Sequence, residues 1–193
     1  MGLGGEFDSV LLAARTGAPW ALTAIYRELH PPLLRYLRVQ EPNHYEDIAS
    51  EVWISAASGL HSFEGGEHDL RRWLFAIARR RLIDYRRASR RERQGTSSLF
   101  QERHQVGDSE QEAIEELATE AALETVASLP EDQCEVVLLR VVADLDVAEV
   151  ASILGKSKGA IRALQHRALR KLASEMADRA VTEGRPRTMY SAR

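Results

Sequence analysis

Apolar residues recur three and four positions apart along nearly the whole chain, and almost nowhere do they alternate. A period of 3.6 puts one stripe of a helix into a core, whereas a half-buried strand needs a period of two. The chain is therefore committed to an all-α fold. Leu22, Ile25, Tyr26, Leu29, Leu33, Leu34 and Leu37 form the first long stripe. The Pro31-Pro32 pair falls inside it and is expected to kink or restart the helix, because proline has no amide proton and crowds the preceding turn. Glu46 to Leu60 is a second helix, with Ile48, Val52, Ala56 and Leu60 on one side. Gly59 to Asp69 reads as a loop centred on Gly65-Gly66. Leu70 to about Arg91 is a long helix whose apolar side carries Trp73, Leu74, Ile77, Ala78, Leu82 and Tyr85.

Gln94 to Gln111 breaks the pattern. It is polar, contains Gly95, Ser97, Ser98, Gly107 and Ser109, and has little periodicity, as a linker does. Helical spacing returns from about Ala113 to Leu129, and Pro130 opens a further helix from Glu131 to about Ala143. The expected organisation is two small helical domains, residues 8–93 and 113–176, joined by a flexible acidic linker at 94–112, with a disordered tail at 177–193. So polar a linker predicts that the two domains move relative to one another.

The stretch from Asp144 to Leu172 carries the most specific local signal. Asp146 can cap a helix beginning at Val147, and Glu149 stands three residues on, as in a capping box. Val150, Ile153 and Leu154 give that short helix a buried side. Gly155 permits a tight turn, and Ser157 can cap a second helix with Ile161, Leu164, Ala168 and Leu172 on its inner face. Lys158, Arg162, His166, Arg167 and Arg170 lie on or beside its outer face, where Gly159 and Ala163 would let the backbone approach a ligand closely. A short helix, a glycine turn and a basic second helix form the helix-turn-helix pattern, whose second helix enters the DNA major groove. Arginine makes paired hydrogen bonds to guanine there. A plain helical hairpin with a basic surface is the bland alternative.

Net charge is −3, but its distribution is uneven. Arg71 to Arg93 holds ten arginines against Asp84 and Glu92, and Lys156 to Lys171 holds six basic residues and no carboxylate. Two basic blocks in an otherwise acidic chain suggest two footprints for a polyanion; the competing reading is two solvated helix faces. Arg79, Arg80, Arg81, Arg86 and Arg87 could follow a phosphate backbone. Trp73, Phe75 and Tyr85 either stack on unpaired bases or belong to the core. Glu46, Asp47, Ser50 and Glu51 share the side of their helix opposite Ile48 and Val52, and face either solvent or a basic partner.

The remaining features mainly exclude. Cys134 is the single cysteine, so no disulfide forms within the chain, which suits a reducing cytoplasm. No apolar run reaches the roughly 18–20 residues of a membrane span, and Met1 to Asp8 does not resemble a secretory signal. No phosphate-binding glycine loop or zinc-type motif occurs, and His30, His44, His61, His68, His104 and His166 are scattered. Neither an enzyme, nor a metal site, nor a cofactor is expected.

EDIASEVW (Glu46–Trp53), WLFAIARRRLIDYRR (Trp73–Arg87) and the segment Leu129–Leu172, in this order and spacing, resemble an extracytoplasmic-function (ECF) sigma factor of the sigma-70 family. The resemblance implies a bacterial transcription initiation factor with core RNA polymerase and promoter DNA as partners. Asp47 and Glu51, with Glu46, match the acidic positions that grip the β′ clamp helices. The loop Ser62–Asp69, with Phe63, stands where such factors capture a flipped −10 base. Trp73–Arg87 matches the −10 recognition and melting helix, and the helix-turn-helix matches the −35 reader, which docks at the β flap. Leu164 stands where many relatives have arginine. The acidic linker resembles the segment that threads toward the polymerase active centre, and an anti-sigma protein holds many members inactive. A helix-turn-helix regulator acting on duplex DNA without polymerase is the alternative.

Overall fold

A computed structural model describes residues 4–95 and 121–183, with side chains for 4–91 and 121–177. The expected linker therefore lies almost wholly outside the described residues, as does the end of the tail, 184–193. The described residues are helical, with turns and short loops between the helices.

A 3-10 turn at Gly4–Glu6 leads into α1 (Phe7–Arg15), which buries Phe7, Val10, Leu11 and Ala14. Helix α2 (Pro19–Gln40) starts on a proline, a position where the missing amide proton has no helical partner to lose. Helices α3 (Tyr45–Leu60) and α4 (Glu67–Gly95) complete an N-terminal bundle. Tyr36, Leu33, Leu37, Ile48, Val52, Leu74, Phe75 and Leu82 are fully enclosed. The Tyr36 and Phe75 rings meet edge to face at 5.5 Å.

Two expectations change here. Helix α2 runs without interruption through Pro31 and Pro32. Pro32 is buried between Leu29 and Leu33, so tertiary packing on both sides of the pair outweighs the lost backbone hydrogen bonds. The loop before α4 is shorter than Gly59–Asp69, because α3 persists to Leu60 and α4 begins at Glu67. The Asp69 carboxylate accepts from the Gly66 amide at 3.1 Å and fixes the entry to α4. Gly65 has φ +141°, and a Cβ there would fall 2.7 Å from that of Asp69, so the turn needs glycine.

In the C-terminal half, α5 is described over 121–127 and packs Leu123 inward. Helix α6 (Glu131–Val137) passes into a π-helical turn, Leu138–Val142, where a single α-helix to Ala143 was expected. The turn ends on Asp144 at φ +52°. The Arg140 guanidinium closes it by donating to the Leu145 carbonyl and to Gln165 Oε1. Helix α7 (Val147–Leu154) and helix α8 (Lys158–Glu183) follow. Helix α8 continues through 177–183, so the disordered tail expected from residue 177 is corrected for those positions.

The two helical halves also touch one another. Helix α2 packs on the π turn, and the start of α4 packs on α7. Buried residues of both halves form one continuous cluster. The expectation of freely moving domains rested on the composition of the segment that joins them. It carried no information about the surfaces the halves turn toward each other.

Candidate nucleic-acid and protein interfaces

The helix-turn-helix is built as its sequence requires. The Asp146 side chain accepts from the amides of Ala148 (2.6 Å) and Glu149 (2.8 Å), and Glu149 accepts in return from the Asp146 amide (2.6 Å). The hydrogen bond from the Glu149 amide holds the Asp146 carboxyl below the usual carboxylate range. Gly155 takes the left-handed conformation at φ +63°, and Ser157 Oγ accepts from the Ala160 amide at 3.2 Å. These caps set the angle at which α8 leaves the turn. Ile161, Leu164 and Ala168 face the core, whereas Lys158, Arg162, His166, Arg167 and Arg170 are all exposed. Gly159 and Ala163 are exposed between them, so the backbone can approach a groove closely. Leu164 is 8% exposed, so it supports the fold and cannot read a base from where it stands. Leu169, 49% exposed on the flank of the basic face, was missed in the sequence reading; its offset of seven from Arg162 was the available signal.

The five arginines singled out on α4 point three ways. Arg80 and Arg87, one heptad apart, face solvent. Arg81 turns toward α3, where its Nε and Nη2 donate to Ser55 Oγ at 3.1 and 2.8 Å. Arg79 and Arg86 turn toward the C-terminal half. Arg79 Nε meets Glu135 Oε1 at 2.9 Å, and Arg86 Nη1 meets Glu131 Oε1 at 2.8 Å. Arg86 also donates to the Gln40 carbonyl at 2.7 Å. A sequence cannot show this division, because every helical face of an arginine-rich run looks alike without its neighbours.

The aromatics resolve toward packing. Phe75 is fully buried and Trp73 is partly buried against the core. Phe63, expected to face a flipped base, is 8% exposed and lies 5.2 Å from the Trp73 ring. In this arrangement it anchors the loop before α4 and is closed to a ligand.

On α3, Asp47 and Glu51 are exposed, and neither makes an ion pair with a described residue. Glu46 is exposed and accepts from the Tyr45 hydroxyl at 3.0 Å. Ile54, 67% exposed, continues the stripe of Asp47, Ser50 and Glu51 at helical spacing. Ile54 was not singled out in the sequence. Its offsets of seven from Asp47 and three from Glu51 place it outward. On the opposite side of α3, Trp53 Nε1 donates to His30 Nδ1 at 3.1 Å, and burial pulls the His30 pKa down. Cys134 is buried, and burial, with Glu135 beside it, pushes its thiol up to about 11. It is a packing residue, not a nucleophile.

Comparison with known proteins agrees with this geometry. Residues 25–92 match the family model for Sigma-70 region 2, and residues 119–172 match that for Sigma-70, region 4. The chain is 30% identical over 180 residues to ECF RNA polymerase sigma factor SigD of Mycobacterium tuberculosis, an alignment covering 90% of this chain and 85% of that protein. It is 33% identical over 168 residues to ECF RNA polymerase sigma factor BldN of Streptomyces coelicolor, covering 86% of this chain but spanning 64% of BldN's length. Among solved structures, CnrH in complex with the cytosolic domain of CnrY superposes with a TM-score of 0.59 at 19% identity, over 88% of this chain and 96% of that one, a likeness of fold.

Proposed function

Because the chain belongs to the ECF RNA polymerase sigma factors of the sigma-70 family, we propose that it directs core polymerase to promoters by placing α8 in the −35 major groove and α4 against −10 DNA. The observation that carries this reading is the capped helix-turn-helix whose basic face is turned wholly to solvent. Helix α3 supplies the polymerase contact. Its carboxylates at Asp47 and Glu51 meet basic residues of the β′ clamp helices, and Ile54 gives the acidic stripe an apolar centre. Separately weak contacts at −35 and −10 become strong when one polymerase holds both, because the second is then intramolecular. Strand opening costs a few kcal/mol per unstacked step, offset by trapped bases and by phosphate contacts from Arg80, Arg87 and their neighbours.

In this role the factor performs no bond chemistry of its own and acts where polymerase acts, in the bacterial cytoplasm. The β flap near α8 and an anti-sigma protein complete the proposed partners. A regulator acting on duplex DNA alone would have no use for the acidic stripe of α3. Transcription in vitro with purified bacterial core polymerase and a promoter library separates the two readings. Promoter-specific transcripts are expected from the native chain. The Asp47→Lys/Glu51→Lys variant, folded by circular dichroism, should lose both core binding and transcripts. Retention of the double variant on core polymerase at native levels would overturn the α3 assignment.

A further inference from the structure

Helices α2, α3 and α4 do not close completely on one another. They leave a cleft of about 330 Å³, within the size range of small-molecule sites. Its inner wall is built from buried Ile25, Leu29, Leu60 and Leu74, and its mouth from exposed Thr23, Tyr26 and Ala57. The cleft therefore has depth, which a flat apolar face lacks. The indoles of Trp53 and Trp73 line it as well. Trp73 comes so close to α3 because residue 59 is glycine: a Cβ there would meet Trp73 Cζ2 at 2.8 Å.

The lining chemistry selects the occupant. No carboxylate, guanidinium or ammonium group stands among the described lining residues, so a charged molecule would lose its hydration without gaining a partner. His30 stacks on Tyr26 at 4.3 Å and accepts the Trp53 indole proton at Nδ1. Burial pulls the His30 pKa down, so it adds no charge at neutral pH. The Thr23 hydroxyl donates to the Pro19 carbonyl. The Tyr26 hydroxyl, at the mouth, has no hydrogen-bond partner among the described residues. Two indoles and a phenol favour a ring, which can stack on them or meet them edge to face.

We propose that this cleft is a binding site for a small neutral aromatic molecule, its ring among the indoles and a single hydrogen-bonding group at the Tyr26 hydroxyl. The site is distinct from the surfaces assigned to polymerase and DNA, since Trp53 lies on the side of α3 opposite Asp47 and Glu51. A ligand that binds the folded chain alone also raises its melting temperature.

The test titrates indole, a neutral ring with one N–H group, into the isotope-labelled full-length chain and follows the tryptophan side-chain N–H signals by NMR. Trp53 and Trp73 should shift together, with a dissociation constant on the order of 0.1 mM, in the range so small a ligand can reach. Trp20, exposed and outside the cleft, is the internal control and should not move. Ala57→Met fills the mouth from an exposed position and should weaken binding at least about tenfold with the fold intact by circular dichroism. Tyr26→Phe should weaken it about threefold through the lost hydrogen bond. No shift up to about 1 mM indole, shifts shared by Trp20, or native affinity in Ala57→Met would overturn the proposal. Protection of Trp53 and Trp73 from hydroxyl-radical footprinting by core polymerase, with no response to indole, would give the cleft to a protein side chain and overturn it equally.

Discussion

Replacing Arg170 with alanine should weaken binding to −35 duplex evenly across sequences, and the salt dependence should show it. Four cations on α8, Lys158, Arg162, Arg167 and Arg170, are exposed and make no ion pair with a described residue. Lys156 and Lys171 are partly engaged, by Asp132 at 3.4 Å and Glu175 at 3.7 Å. Each cation that neutralises a phosphate contributes about 0.9 to the slope of log affinity against log salt. If Lys158, Arg167 and Arg170 act this way, a rise from about 50 to 200 mM salt weakens binding about 40-fold. Removing Arg170 should reduce that loss to about 12-fold. Arg162, nearer the start of α8, should instead contact a base edge. Its alanine variant should lose about 1–3 kcal/mol at one or two base pairs of the site and leave the slope nearly unchanged. The assay is fluorescence anisotropy of the full chain on a 20-base-pair −35 duplex (about that length suffices for one module) and on single-position variants, over the same salt range. Because the basic face of α8 is exposed in the free chain, the free chain is suitable. Equal, sequence-blind losses from Arg162→Ala and Arg170→Ala would refute the division of labour along the helix.

Gly59→Ala should destabilise the N-terminal bundle by about 1 kcal/mol, because overpacking of about 1–3 kcal/mol exceeds the roughly 1 kcal/mol gained in helix propensity. The added Cβ would sit 2.8 Å from Trp73 Cζ2, and urea unfolding followed by tryptophan fluorescence would reveal a stabilised variant if this is wrong. Phe75→Ala should cost about 3–5 kcal/mol as a large buried ring lost from the core, whereas Phe75→Leu should keep open-complex formation near native levels. A large loss of open complexes in a folded Phe75→Leu would restore a base-stacking role. Asp146→Ala should lower the melting temperature at neutral pH, and the gap to the native chain should close in acid. The sign follows from its folded pKa, which lies below the ordinary carboxylate value. The cap's contribution is complete above the ordinary value and disappears as pH falls through the lowered one. A gap that persists at pH values below both would contradict the charged cap.

The local chemistry of the helix-turn-helix was legible because each of its devices is written in adjacent residues. Asp146 and Glu149, Gly155, and Ser157 make contacts within four residues of themselves, so spacing alone identifies them. The outward arginines and the inward Ile161 and Ala168 follow from the same 3.6 period. What escaped the sequence depends on partners far along the chain. Arg79 and Arg86 look identical to Arg80 and Arg87 until Glu135 and Glu131 are placed beside them. Phe63 reads as a loop aromatic until Trp73 closes over it. The π turn escaped for a related reason. Leu138–Val142 has an ordinary helical composition, and only the Arg140 contacts to Leu145 and Gln165 mark it as wound differently.

The ion pairs between the halves join residues that are far apart on one chain, with Arg86 and Glu131 separated by 45 positions. Their strength therefore depends on a tether and is independent of protein concentration, unlike a contact between two molecules. The chain between residues 95 and 121 is that tether. Cleavage of that segment removes it. It converts a unimolecular contact into an encounter between two species that must meet the full translational and rotational cost of association. One proteolytic cut is therefore expected to make the association of the two halves depend on concentration.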